Sequence, residues 1–288
     1  MIALSRQAFG KLPAITAIFL LGLALACAFA SAAPAAVKLS VVKSKPFAIS
    51  AGNEEARFTG DGYEWIECRG SDRALTIGWT DVKAPMALLY ANTWNSDGNL
   101  GLGPTRPAKS AKMRGVVVCA KGAFQGTVKE KAGTVKCSRR QLALGIPVVG
   151  GPLLSSPVVS RPSGKSAWTT TGQGSYGDAT AICVAASAFK QVKLVKRKAS
   201  FRSGSATAVV KASCARGTRP ISWGYEAWTL PDNEFRRPGG SEGMTVPYVA
   251  SSLPSGSAGW ALTFRTPDGA GAVGSTSLAL HLVCAKPA

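Results

Sequence analysis

Six of the seven cysteines in this chain fall into three similar blocks, Cys68 to Cys119, Cys137 to Cys183 and Cys214 to Cys284. After the first cysteine of each block comes a short apolar strand pattern that reaches a glycine. It reads Leu75, Ile77, Gly78, Trp79 in the first block, Leu142, Leu144, Gly145, Ile146 in the second and Ile221, Trp223, Gly224, Tyr225 in the third. Each block then ends on its second cysteine: Cys119-Ala120, Cys183-Val184 and Cys284-Ala285. Self-similarity of this kind marks a repeat architecture, in which one supersecondary unit cannot bury its apolar face without a neighbour.

The seventh cysteine, Cys27, sits in a stretch of another kind. The chain opens with basic residues, Arg6 and Lys11, runs through an apolar segment from Ala14 to Ala30 and reaches the small-residue sequence Ala28-Phe29-Ala30-Ser31-Ala32. That pattern predicts a secretory signal peptide over residues 1–32. An uncleaved span would need ~20 apolar residues. Leu25-Ala26-Cys27 also resembles a lipoprotein signal, but the leucine is one place too close and the run stays apolar beyond the cysteine. Export leaves six thiols where disulfides persist, so pairing is expected. Because equivalent cysteines of a repeat should close on themselves, the expected bridges are Cys68–Cys119, Cys137–Cys183 and Cys214–Cys284. In the chain-entropy model each is worth ~4 kcal/mol. Zinc by cysteine is disfavoured, since no two cysteines lie two to four residues apart and the chain has one histidine.

Within the blocks the periodicity is that of strands. Valine, threonine and aromatic residues alternate over Gly115–Cys119, Trp168–Thr171, Ala206–Lys211, Ala261–Arg265 and Leu278–Cys284, between turns rich in Gly, Pro, Ser and Asn. The second and third blocks share Pro162-Ser163-Gly164 and Pro254-Ser255-Gly256, followed by Trp168 and Trp260, which reads as a turn feeding a strand. Tandem immunoglobulin-like domains would also pair cysteines across strands. The 17 residues between Cys119 and Cys137 are too few for a final strand, a linker and a new first strand, and no tyrosine stands two before any second cysteine. The expected organisation is all-β: three tandem Cys-paired repeats of about 65–80 residues, β-prism-like or β-sandwich, that share interfaces. Their boundaries are a linker at 33–46, repeats at 47–121, 122–187 and 188–288, and a first edge strand before Phe47.

The run from a first cysteine through a strand ending in glycine, a Pro-Ser-Gly turn, a tryptophan and a closing Cys-Ala resembles the Cys-paired β-repeats of secreted bacterial proteins of unassigned function. More distantly it resembles the β-prism of vitelline membrane outer layer proteins. Those repeats carry two or three adjacent glycines after the first cysteine, whereas Gly78, Gly145 and Gly224 stand alone. The resemblance covers Phe47 to Ala285 and implies an extracellular all-β fold with pseudo-threefold organisation and no catalytic centre.

Charge is the second informative feature. Residues 120–213 carry 15 basic and 2 acidic side chains, against 11 and 8 in 33–119 and 6 and 5 in 214–288. The middle of the chain therefore holds nearly all the excess. Its densest stretch is Lys190, Lys193, Lys196, Arg197, Lys198 and Arg202, in the expected connection between the second and third repeats, supported by Lys129, Lys131, Lys136, Arg139 and Arg140. Such a field attracts polyanions through counterion release. Outside the membrane these would be anionic surface polymers, acidic glycans or extracellular nucleic acid. Against this stands the reading that lysines on an edge strand keep sheets soluble and apart.

Carbohydrate binding is the alternative. Trp168 and Trp260 recur at matching places, as core residues do, which leaves Trp65, Trp94 and Trp228 as candidates for stacking on sugars. The insertion Pro231 to Pro247 is a candidate recognition loop. Catalysis has little to draw on. His281 lies in an apolar strand, and Glu64 and Glu67 point to opposite faces of one. Asp97-Gly98-Asn99 and Asp268-Gly269 read first as turns, with too few oxygens for a calcium loop. No cofactor, metal or membrane span is expected after processing.

Overall fold

The three blocks become three sets of strands laid out in one order. The computed structural model describes residues 37–49, 64–80, 86–94, 100–107, 111–121, 126–146, 159–171, 178–202, 204–228, 247–266 and 277–288. All of these belong to the unit Ala36–Ala288. The expected signal peptide, the insertion from Pro231 up to residue 246 and both Asp-Gly turns lie outside the described residues.

The first unit runs through β1 (Lys38–Lys43), β2 (Phe47–Ile49), β3 (Glu64–Ile66), β4 (Arg73–Trp79), β5 (Met86–Trp94), β6 (Leu100–Pro107), β7 (Ala111–Met113) and β8 (Gly115–Lys121). The second comprises β9 (Gly126–Ala132), β10 (Thr134–Lys136), β11 (Gln141–Gly145), β12 (Val159–Gly164), β13 (Ala167–Thr171) and β14 (Asp178–Ala185). A 3-10 turn, Ala186–Ala188, leads into the third: β15 (Phe189–Ser200), β16 (Thr207–Ser213), β17 (Arg219–Trp228), β18 (Tyr248–Ser255), β19 (Gly259–Arg265) and β20 (Ser277–Pro287). The chain is all-β.

The strands whose sequences alternate are half-buried, as β16 shows with every second residue exposed. The apolar runs of β4, β8, β14 and β20 are buried on successive residues, the pattern of strands covered on both faces.

Each unit closes with a disulfide: Cys68–Cys119, Cys137–Cys183 and Cys214–Cys284, at Cα separations of 5.8, 5.5 and 5.6 Å. Three bridges of this kind belong to a chain folded in an oxidising compartment. A four-residue turn closed by a backbone hydrogen bond follows each first cysteine. Asp72 N donates to Arg69 O, Gln141 N to Ser138 O and Thr218 N to Ala215 O, at 3.1, 2.9 and 3.0 Å. Gly70 and Gly217 supply the positive φ that two of these turns use.

The sheets are not confined to units. One runs β1-β8-β4-β18-β19-β16 and a second β10-β13-β12-β17-β20-β15. Thus the hairpin of the third unit, β18–β19, joins β4 of the first through the Ser252–Trp79 pair. The hairpin of the second, β12–β13, joins β17 of the third through Val159–Glu226 and Ser160–Tyr225. The β11-β14-β9 sheet carries the same half-sheet of the second unit, and β3-β6-β5 carries the first unit's hairpin. In each unit the glycine-bearing strand pairs with its own closing strand on one side. For β4 and β17 another unit's hairpin takes the other.

The core forms where the glycine-bearing strands meet. Trp79, Trp168, Trp223 and Trp260 are fully buried, and two of their indole N–H groups find partners across units. Trp223 Nε1 donates to Ile77 O at 2.7 Å and Trp79 Nε1 to Ala250 O at 3.2 Å. Trp168 and Trp260 repeat one geometry, each donating Nε1 to the serine eight residues before it, Ser160 or Ser252. Their rings lie against the glycines that recur after each first cysteine. A Cβ on Gly145 would overlap the Trp168 ring, and one on Gly78 would meet Ser252 O and the Trp260 ring. The glycines serve close approach rather than a turn.

Candidate functional site: a cationic sheet face around Glu226

Strand register places the basic residues. Lys190 to Lys198, expected in a connection, form β15, the edge strand of the β10-to-β15 sheet. Five of its 12 residues are basic and none is acidic. In β15, Lys196 lies opposite His281, which lies opposite Gly224, and Lys198 lies opposite Ala279, which lies opposite Glu226. Glu226 pairs with Val159, two residues from Arg161, and Arg161 pairs with Thr169, itself paired with Thr134 two residues from Lys136. Because side chains alternate faces with period two, Lys136, Arg161, Glu226, His281, Lys196 and Lys198 share one face of a six-stranded sheet.

At its centre is one buried carboxylate. Glu226 is 4 % exposed and is held by three strands. Lys196 Nζ donates to Oε2 at 2.6 Å, Arg161 Nε lies beside Oε1, and His281 Nε2 is 3.1 Å from the same oxygen. Neither Arg161 Nε nor His281 Nε2 is aligned for a hydrogen bond, so the guanidinium is held to the carboxylate by charge and the imidazole packs beside it. Burial pushes the His281 imidazole down to about 4 although the Glu226 charge acts the other way, and Lys196 and Arg161 add to the lowering. The imidazole is therefore neutral at neutral pH. Burial also raises the Tyr225 hydroxyl above its ordinary value. One carboxylate balanced by Arg161 and Lys196 is an ion-paired anchor. It fixes two cations on the sheet face and leaves Lys198, Lys136 and the edge residues Lys193 and Arg197 free of that pairing.

All eleven basic residues singled out in the sequence are exposed, but they do not make one patch. Lys190, Lys193, Lys196, Arg197 and Lys198 line β15, with Arg202 just beyond it. Lys129 and Lys131 are on β9, Lys136 on β10, and Arg139 and Arg140 in the turn after Cys137. As β10 and β15 are opposite edges of one sheet, five strand steps of about 4.8 Å separate them by about 24 Å. Arg140 bridges toward the start of β15, its carbonyl accepting from Ala186 N at 2.9 Å. Trp168 and Trp260 are core residues. Trp65, Trp94 and Trp228 stand in β3, β5 and β17, and their side chains fall outside the described residues.

Glu226 and Arg161 were not among the sequence candidates. The signal was present: an acid inside the otherwise apolar run from Ile221 to Trp228 must find a cation if the strand is buried. Its partners lie 30 and 65 residues away, and no local pattern names them.

Among the described residues no group of three or more His, Cys, Asp or Glu could hold a metal ion, and no helix is long and apolar enough to cross a membrane. No protein-family model matches the chain, and no curated protein is similar to it in sequence.

Proposed function

We propose that this chain is an exported, non-catalytic binding protein that holds anionic polymers along β15 and the adjoining sheet face. The observation that carries the reading is the composition of β15: an exposed edge strand with five cations and no acid, whose only carboxylate partner in the sheet, Glu226, is already engaged by Lys196 and Arg161. On the face shared with Glu226, Lys196 and Lys198 stand about 6.7 Å apart, and on the opposite face Lys193 and Arg197 stand about 13 Å apart. A linear polyanion lying along this edge could meet cations from both faces, and counterion release would supply the affinity. Phosphate-, sulfate- and carboxylate-bearing polymers outside the membrane share this chemistry.

Heparin or phosphocellulose chromatography tests it. The protein should elute at clearly elevated salt, and Lys193→Gln, Arg197→Gln and Lys198→Gln together should lower both the elution salt and the slope of log affinity against log salt, by about three if each contacts the polymer. Lys196→Gln alone should change less, because Glu226 already neutralises that ammonium. Retention indifferent to the triple change would remove β15 from the reading. Elution at the lowest salt would remove the reading itself.

A further inference from the structure

At the other edge of the same sheet, β9 and β10 are consecutive strands joined by Gly133 alone, with φ +75°. A connection this short ordinarily makes a hairpin. These two strands instead part: β9 pairs with β14 and β10 pairs with β13. Among the described residues each is the last strand of its own sheet, so two strand edges face a groove of about 790 Å³ lined by Lys129 to Lys136.

One carbonyl records the vacancy of that edge. Lys136 O accepts from the Lys129 side chain of the facing strand, at 3.5 Å, where a paired strand would offer an amide. Residues 127–132 of β9 are all exposed.

We propose that this groove docks an extended acidic peptide segment as an added strand. Backbone amides and carbonyls of such a segment would satisfy the free edge of β9 at a strand separation of about 4.8 Å, as in strand addition to an exposed sheet edge, while β10 with Lys136 walls the other side of the groove. The charge of the groove selects the segment. Lys129, Lys131 and Lys136 stand against the single acid Glu130, and Lys129 and Lys131 share a face about 6.7 Å apart. Acidic residues at every second position of the added strand match that spacing. A polysaccharide would offer the charge without amides at strand spacing. About 24 Å of sheet separates this groove from β15, and Lys136 alone also stands on the sheet face that adjoins it.

The test uses the full chain and a fluorescein-labelled alternating Thr-Glu peptide of about ten residues, the upper end of ordinary strand length, followed by anisotropy. Binding should saturate. It should weaken at least about tenfold, ~1.4 kcal/mol, in the combined Lys129→Gln, Lys131→Gln and Lys136→Gln variant, and stay unchanged in the β15 triple variant. The same peptide with alternate backbone amides N-methylated should not bind. Absence of binding by the parent peptide, or equal binding by its N-methylated form, overturns the proposal. The second outcome would mean that charge alone holds the peptide.

Discussion

Gly145 shows how much a single hydrogen can decide. The Trp168 ring occupies the volume a side chain would need there, and the ring is fixed by its bond to Ser160 and by full burial. Gly145→Ala should therefore cost ~3 kcal/mol, the upper range for overpacking a dense core, read as a fall in the urea midpoint at unchanged m-value. His281 makes a second residue-scale expectation. Its imidazole titrates at about 4 when folded and at ~6.5 in the unfolded chain. The unfolded state thus takes up a proton first as pH falls. The stability linked to His281 is complete above about pH 6.5 and is lost as pH drops toward about 4, a change of up to ~3 kcal/mol. Glu226, Lys196 and Arg161 face the ring throughout. Denaturation near pH 7 and near pH 4.5 should show a smaller difference in His281→Asn than in the parent chain; an equal difference would assign the acid sensitivity elsewhere.

At the scale of elements, much of the chain was legible. Cysteine spacing gives the repeat and its three bridges, and period-two alternation gives β16 and β19, because these follow from local chemistry. The paired Pro-Ser-Gly turns locate the ends of β12 and β18, and the recurrence of Trp168 and Trp260 marks them as core. Non-local facts were out of reach. Nothing near Lys196 in sequence shows that its charge is taken by Glu226, so counting lysines overstates by one the cations β15 has free. Nor does the sequence show that the basic stretch is a strand rather than a connection. Its valines and leucine are too sparse among lysines for an apolar pattern, and the strand exists because twelve residues of β15 find the apolar β20 beside them. That Trp65, Trp94 and Trp228 lack counterparts in the other blocks carries no information on their exposure.

On the scale of the whole molecule, stability is shared rather than modular. Each bridge ties the turn before a glycine-bearing strand to its own closing strand, yet the hairpins cross to the next unit, and Trp223 and Trp79 bond to backbone in other units. Cutting out residues 188–288 as a separate chain would strip β17 of β12 and β18 of β4, leaving two sheet edges bare and half of a tryptophan cluster in water. That fragment should lack a cooperative urea transition and should aggregate even with Cys214–Cys284 intact, whereas the full chain should unfold in one step. A fragment with its own sharp transition would show the units to be separable. Because each of these edges is covered by a hairpin from elsewhere in the chain, a change that loosens β12–β13 or β18–β19 is felt first by β17 or β4, far away in sequence.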